Sequence, residues 1–267
     1  MSSPPTAGSK RTGTLPPGTT LDDFLGGRIE VLQPKQGHRA GSDAVWLQAA
    51  VPAQAGERVL DAGAGVGVAG LCMLARVPEI AVTAVEIDAG LCALAEANAR
   101  RNGVGDKFKA IDADVTAPAE SLLAKGLVRD GYDQLMANPP YYPAGTVRAA
   151  PDPARAGAHV MQEGALEAWI RFLATVAAPK GRLTLIHQPR ALPQLLALLD
   201  RRFGGVTIFP LFPKAGEPAT RIIVQAEKGS RAALRLLAGL VLHDGDGHYT
   251  AKAEGVLRSG EALDLGR

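Results

Sequence analysis

From residue 57 onward, short apolar runs alternate with longer segments in which apolar residues recur every three or four positions. The short runs predict β-strands and the helical spacing predicts helices. Strands are predicted at 57–63, 80–88, 107–112, 132–138, 181–188, 205–212 and 220–229. Helices are predicted at 67–77, 89–103, 118–127, 163–179 and 191–204. Alternating strands and helices indicate a parallel sheet, and the last two strands, joined without a helix, indicate one antiparallel member. The expected fold class is therefore α/β, with a seven-stranded, mostly parallel sheet and a C-terminal antiparallel hairpin.

The ends of the chain lie outside this alternation. Residues 1–22 are rich in Pro, Gly, Ser and Thr and lack the apolar core of a signal peptide, so we expect a disordered tail and a cytoplasmic location. Residues 23–56 contain a predicted strand and a helix from Asp43. Residues 57–229 form the main domain, and 230–267 are a C-terminal extension. No apolar run approaches the ~18 residues of a membrane span.

Composition and charge add little to what the motifs can say about the class of protein and its partner. The chain has 267 residues, of which 46% are hydrophobic and 21% charged, as in an ordinary soluble globular protein. Its two cysteines and five histidines show no metal-ligand spacing, so no metal site is expected. Residues 1–137 hold 13 basic and 16 acidic side chains, and residues 138–267 hold 16 and 11. The basic second half suggests a polyanionic partner, and ordinary variation in surface charge explains it equally well.

The loop after the first strand reads LDAGAGVG. Ligands of parallel sheets bind beyond the carboxyl ends of the strands, and Gly63, Gly65 and Gly67 allow a tight turn that a ligand can approach. Val68 occupies the place of the last glycine in the dinucleotide fingerprint, which this loop therefore lacks. The carboxylate of Asp61 would repel a pyrophosphate and suits a ligand with positive charge, such as a sulfonium or an amine. An ordinary strand-to-helix turn is the alternative.

Acidic residues also follow the second and third strands. In VEID, Glu86 is placed to accept both hydroxyls of a ribose, and Asp88 to cap the next helix. In IDADVT, Asp112 or Asp114 could accept a hydrogen bond from an adenine amino group. We favour Asp114, with Val115 covering the ring face. The alternative is that either aspartate caps the helix near 118.

The fourth strand ends in NPPY. The prolines cannot continue a β-ladder. An exocyclic aromatic amine is a poor nucleophile because its lone pair is delocalised into the ring. The side-chain oxygen of Asn138 and the carbonyl of Pro139 could both accept from that amine and localise the lone pair. Pro140 adds rigidity, and Tyr141 offers a face on which a flat base can stack.

Together, NPPY, LDAGAGVG and VEID resemble the motifs of class I S-adenosylmethionine methyltransferases that modify planar nitrogens. NPPY also occurs in the release-factor glutamine methyltransferases, which carry a helical N-terminal domain of which this chain has no trace. Three other stretches are similar to the bacterial tRNA1(Val) adenine-N6 methyltransferase family: QPKQGHRAGSDAVWLQAA (33–50), PAGTVRAAPDPARAGAH (143–159) and FPKAGEPATRIIVQAEKG (212–229). The resemblance covers about residues 25–250.

The resemblance implies a Rossmann-like domain, S-adenosyl-L-methionine as the cofactor and tRNA as the partner. Residues 23–56 would form a segment that closes over the cofactor, with Arg39, Ser42 and Asp43 at its methionine end; helix capping is the alternative for Ser42 and Asp43. The resemblance also implies that Ile87 contacts the cofactor. The residues that it implies for the RNA substrate are Tyr142, Arg155, His159 and Arg221.

For two of these residues a structural role is the alternative. Tyr142 would pack under the loop, and Arg221 would brace the hairpin. For Arg155 and His159 the alternative is that they serve only the solubility of an exposed loop. The expected reaction is methylation of N6 of an adenine in tRNA. A protein glutamine methyltransferase and a non-catalytic RNA-binding relative are the alternatives.

Overall fold

The computed structural model describes residues 15–37, 39–140 and 164–266. Its strands are β1 Thr19–Phe24, β2 Ile29–Pro34, β3 Arg58–Ala62, β4 Ala81–Glu86, β5 Phe108–Asp112, β6 Tyr132–Ala137, β7 Ala177–His187, β8 Phe203–Phe212, β9 Arg221–Lys228, β10 Arg235–Leu236 and β11 Leu240–Val241. Its helices are α1 Ser42–Ala50, α2 Val68–Arg76, α3 Ala89–Arg101, α4 Ala119–Ala124, α5 Ala165–Val176, α6 Leu192–Leu199 and α7 Ala251–Ser259, with 3-10 turns at Leu25–Gly27 and Pro189–Ala191.

The central sheet has the strand order β10-β8-β9-β7-β6-β3-β4-β5, and β11 also pairs with β8. Neighbouring strands from β5 to β7 run parallel, whereas β9 is antiparallel to both β7 and β8. The predicted seven strands and their single antiparallel member are confirmed. The short strands β10 and β11 extend the sheet to nine strands.

Helices cover both faces of the sheet. Along β3, Val59 packs in one hydrophobic cluster with α1 and α2, and Leu60 packs in the other with α5 and α6. Successive side chains of a strand point to opposite faces. A parallel sheet buried on both faces therefore needs continuous apolar runs, which is the pattern that the sequence shows.

Two predicted boundaries are wrong for a physical reason. Residues 177–179 were expected to end a helix, but they begin β7. Pro179 has no amide hydrogen, and residues before a proline favour extended conformations. Residues 203–204 were also expected in a helix, but they begin β8, because α6 already ends at Leu199.

The N-terminal segment forms a separate two-stranded hairpin. β1 and β2 pair antiparallel, so residues 19–22, which were expected to belong to a disordered tail, are part of a strand. Asn98 of α3 is fully buried and bonds both the amide and the carbonyl of Leu32 at 2.8 and 3.1 Å. It also donates to the carbonyl of Val66 at 3.0 Å. One buried amide thus ties the hairpin to the loop that follows β3.

The C-terminal extension packs on the N-terminal segment, and its short strands β10 and β11 pair with β8 of the main domain. α7 contacts α1, and the amide of Leu263 donates to the carbonyl of Ala49 at 2.8 Å. Arg28 reaches the carbonyl of Ser259 at 3.0 Å and that of Ala75 at 2.9 Å, which joins both ends of the described chain to α2. Among the described residues, no helix is long and apolar enough to cross a membrane.

Candidate active site

The polar residues predicted from four separate motifs lie at one edge of the sheet. Asp61 pairs in register with Ala84, two residues before Glu86, and Glu86 pairs with Asp112. Ala62 pairs with Ala137, the residue before Asn138. The carboxyl ends of β3, β4, β5 and β6 are therefore adjacent, which is where parallel sheets bind ligands.

The glycine loop after β3 is held against β4. The amides of Gly63 and Ala64 both donate to the carbonyl of Val85, at 2.8 and 3.0 Å. Gly63 has φ 67°, and a Cβ there would lie 2.5 Å from the ring of Trp169. Gly65 has φ 57°, and a Cβ there would meet no described atom within 4 Å. The loop is packed on one side and open on the other, as a loop that a ligand approaches must be. Gly67 follows as the N-cap of α2.

Glu86 has a carboxylate that the backbone orients. One oxygen, Oε2, accepts from the amide of Gly65 at 2.8 Å, and Oε1 accepts from the amide of Asp88 at 3.0 Å. The residue is 8% exposed. A carboxylate oxygen has capacity for a second hydrogen bond, so both oxygens can accept from a diol at the edge of the sheet. The predicted capping role of Asp88 is confirmed, because its side chain accepts from the amides of Gly90 and Leu91.

Asp61 is buried beneath the glycine loop. It is 2% exposed, and its Oδ2 accepts from the amide of Gly70 in α2 at 3.2 Å. Burial raises the pKa of this carboxyl from 3.8 to about 7; the bond from Gly70 opposes the rise and the negative charge of Glu86 adds to it. A charged form that burial disfavours is stabilised by a nearby cation. The electrostatics of this position therefore favour a ligand with positive charge.

In the loop after β5, Asp114 does not cap the helix that follows, which was the alternative to its predicted role in binding adenine. Asp114 accepts from the amide and the hydroxyl of Thr116, at 2.8 and 2.7 Å, and so closes a turn. The helix that follows has Pro118 at its N-cap, without a side-chain cap. Val115 is only 5% exposed and belongs to the core, whereas Ile87 after β4 is 64% exposed. Ile87 is thus an apolar side chain available to cover a ring at this edge.

The residues expected over the methionine end are held by their own contacts. Arg39 donates to the hydroxyl of Thr20 at 2.7 Å and to the carbonyl of Pro34 at 2.8 Å, and it forms an ion pair with Asp22. These contacts fix Arg39 to the N-terminal hairpin.

Asp43 and Arg221 form an ion pair of 2.8 Å between Oδ2 and Nε. α1 begins at Ser42, and its N-cap, Gly41, has no side-chain capping bond, so the capping alternative for Ser42 and Asp43 is wrong. Instead Asp43 joins α1 to the first residue of β9. Ser42 is exposed. The two paired residues are 178 positions apart, so sequence spacing gives no sign of their contact.

Asn138 and the prolines follow β6 directly. Asn138 is half-buried, Pro139 is buried and Pro140 is exposed. The predicted substrate contacts Tyr141, Tyr142, Arg155 and His159 lie outside the described residues. In the part of the chain that the structure describes, no group of three or more His, Cys, Asp or Glu side chains could hold a metal ion.

His187 and Arg190 are residues at this edge that the sequence analysis did not single out. His187 ends β7 and is 7% exposed. Burial lowers its pKa, the hydrogen bond with the backbone of Gln188 opposes this shift, and the positive charges of Arg190 and Arg221 lower the pKa further. The signal available in the sequence was a histidine at the end of the fifth predicted strand, in GRLTLIHQ.

Comparison with known proteins gives a consistent set of matches. A family model described as the methyltransferase small domain matches residues 40–207. A protein of Aeromonas hydrophila named tRNA1(Val) (adenine(37)-N6)-methyltransferase is 26% identical over 216 residues, which cover 79% of this chain and 85% of that protein. A protein of the same name from Porphyromonas gingivalis is 30% identical over 62% of this chain and 64% of its own length. A solved structure from Agrobacterium tumefaciens, described as a predicted O-methyltransferase, has a TM-score of 0.71 at 29% identity and covers 83% of this chain and 98% of that one.

These matches confirm the family resemblance and the Rossmann-like class I fold that the motifs indicated. The matched region contains the glycine loop, Glu86 and Asn138, and it spans more than half of the chain. The chain belongs to the methyltransferase small domain family, and its methyl donor is S-adenosyl-L-methionine.

Proposed function

We propose that this protein transfers a methyl group from S-adenosyl-L-methionine to N6 of an adenine in tRNA. The observation on which the proposal rests most heavily is the position of Asn138-Pro139-Pro140. The motif follows β6, which is the direct neighbour of β3 and therefore of Asp61 and the glycine loop. The relatives named for this reaction, and the excess of basic residues after 137, support tRNA as the substrate.

The residues present fit the cofactor. When bound, S-adenosylmethionine supplies an electrophilic methyl group. Glu86, oriented by two amides, would hold the ribose hydroxyls. Asp61 would balance the positive charge of the cofactor, Asp114 would accept from the adenine amino group, and Ile87 with Val115 would cover the adenine ring. Gly63, Gly65 and Gly67 would let the backbone approach the cofactor.

The N-terminal segment 23–56 would close the other side of the cofactor. Ser42 is exposed at the first turn of α1, next to Asp43, and Arg39 is anchored on the hairpin beside them. In this proposal the pair Asp43–Arg221 locks α1 to β9 and so fixes how close α1 stands to the methionine end.

The acceptor chemistry is assigned to the motif after β6. The amide oxygen of Asn138 and the carbonyl of Pro139 would accept from the amine of the target adenine. Two acceptors favour a tetrahedral nitrogen, whose lone pair can then attack. Preorganised polar partners of this kind stabilise a transition state without reorganisation during the reaction. Alignment of the two reactants supplies much of the remaining rate. Tyr141 and Tyr142 would stack on the base.

A hydroxyl acceptor is a second candidate, because the similar Agrobacterium protein is described as a predicted O-methyltransferase. A hydroxyl must lose its proton to a general base before it attacks, whereas an aromatic amine needs acceptors that localise its lone pair. Asn138 and Pro139 offer acceptors and no base, which favours nitrogen.

A direct test incubates the purified protein with methyl-labelled cofactor and a tRNA pool, followed by mass spectrometry of the nucleosides. We expect N6-methyladenosine. A tRNA1(Val) transcript with adenine 37 replaced by guanine tests whether this chain shares the position named for its relatives. Label in 2′-O-methyl nucleosides, or in glutamine of an added protein and not in tRNA, would contradict the proposal.

A further inference from the structure

The carboxyl end of β7 lies beside the acceptor motif. Leu185 of β7 pairs in register with Ala137 of β6, so His187 lies alongside the residues that follow Ala137. On the other side, His187 pairs with Ile222 of β9, next to Arg221. The 3-10 turn Pro189–Ala191 then places Arg190 at the same edge. The proposed target base and this turn are therefore neighbours.

The local charge at this point is positive. Of the charged groups among the described residues, those that act on His187 are Arg190 and Arg221. The ring of His187 adds no charge of its own, because its Nδ1 accepts from the amide of Gln188 at 2.8 Å and burial favours the neutral form. That bond also leaves the proton of the neutral ring on Nε2. His187 is therefore not a base at Nε2, and the positive potential comes chiefly from Arg190, because Asp43 balances the charge of Arg221.

The two arginines differ in their partners. Arg221 is held by Asp43 and by the carbonyl of Thr220. Arg190 is exposed, and it forms no ion pair with a described residue. A guanidinium has five N–H donors in a planar fork that matches the oxygens of a phosphate. Its chemistry at this position is that of an anion contact.

We infer that Arg190 binds a backbone phosphate of the substrate nucleic acid next to the target nucleotide. The inference rests on the proposed function. It makes Arg190 a substrate-positioning residue, separate from the residues assigned to the cofactor. A protein substrate bound through a carboxylate is the competing outcome of the test.

The chain offers a matched control for this residue. Arg201 follows α6, has a side chain that is 92% exposed and lies near the start of β8. Since β7 and β8 run in the same direction, the start of β8 is at the opposite edge of the sheet from Arg190. Arg190→Gln and Arg201→Gln remove the same charge, and both residues are exposed, so neither change should alter the melting temperature.

The experiment measures equilibrium binding of tRNA to the wild type and both variants between about 50 and 200 mM salt. Each lost phosphate contact lowers the log–log salt slope by about 0.7–0.9. For Arg190→Gln we expect that decrease. The affinity ratio of wild type to variant should also fall roughly threefold over this fourfold salt range. Arg201→Gln should match the wild type in tRNA binding and in activity, and the affinity of Arg190→Gln for S-adenosylmethionine should be unchanged.

Equal salt slopes for Arg190→Gln and Arg201→Gln, in a wild-type enzyme that methylates tRNA, would overturn the inference and leave the proposed function intact. A wild type that shows no salt-dependent binding of tRNA and methylates a glutamine-bearing protein instead would overturn both.

Discussion

Replacing Asp61 by asparagine should change how the stability of the cofactor-free protein depends on pH. The carboxyl of Asp61 is buried, and its pKa is raised from 3.8 to about 7, chiefly by that burial. The folded state therefore binds the proton more tightly than the unfolded state does. The stabilisation from this proton is complete below the ordinary pKa and is lost as pH rises through about 7. Asparagine has no such proton and should show no such loss.

The magnitude follows from the two pKa values. Each unit between them corresponds to about 1.4 kcal/mol in the free energy of unfolding. At low pH the carboxyl of Asp61 is protonated in both the folded and the unfolded state. Compared with that condition, its ionisation lowers the free energy of unfolding by roughly 2 kcal/mol at about pH 5 and by roughly 4 kcal/mol at about pH 8.5. The free energy of unfolding of the wild type should therefore fall by roughly 2–3 kcal/mol relative to Asp61→Asn between these pH values. Burying the amide of the new asparagine also changes the free energy of unfolding, but by the same amount at every pH. It therefore does not affect how the difference between the two proteins changes with pH.

Urea unfolding of both proteins across this pH range measures the difference. Asp88→Asn is a suitable control, because Asp88 also accepts backbone amides but is exposed. A difference between wild type and Asp61→Asn that stays constant from pH 5 to 8.5 would refute the reasoning. A bound cation favours the ionised carboxylate, so wild-type affinity for S-adenosylmethionine should rise with pH through about 7, which calorimetry can test.

Three further predictions concern the candidate site. Glu86→Ala should weaken binding of S-adenosylmethionine by roughly 2–4 kcal/mol, because two hydrogen bonds to a charged group are lost; unchanged affinity in calorimetry would mean that the ribose lies elsewhere. Asn138→Ala should lower kcat about 10²–10³-fold with little change in cofactor affinity; a lower melting temperature with full activity of the folded fraction, measured in single turnovers, would favour a structural role. Gly63→Ala should cost about 1–3 kcal/mol more in urea unfolding than Gly65→Ala, because only at Gly63 does the new methyl group meet Trp169; equal losses would contradict the packing argument.

The strands and helices of the main domain could be predicted because the buried positions of each element show up as a regular spacing of apolar residues within a short stretch of sequence. β3, β4, β6 and β7 contain short runs of buried apolar residues with members in both hydrophobic clusters, and polar residues or glycines follow these runs at the ends of the strands. The N-terminal strand β1 was missed. Its sequence, TTLDDF, has neither an apolar run nor a clean alternation, because β1 pairs with only one strand in a small hairpin. The two-residue strands β10 and β11 are too short to leave any periodic signal.

The residues of the site could be predicted only where they belong to one short sequence motif. Glu86 and Asp61 could be found because each ends a strand next to a characteristic loop. The ion pair between Asp43 and Arg221 depends on packing between α1 and β9, and no local pattern encodes it. The same holds for Arg190, which lies at the same edge of the sheet as the acceptor motif only because β7 is next to β6.

The position of β9 has a consequence for how the protein is made. β9 lies between β7 and β8, yet the ribosome adds it after both of them. Until residue 228 has been added, one side of the eleven-residue strand β7 has no partner in the sheet. An unpaired strand edge is a template for pairing with other chains. A nascent chain halted between residues 188 and 220 therefore carries all of the residues assigned to the cofactor together with an unpaired edge of β7 that can pair with other chains.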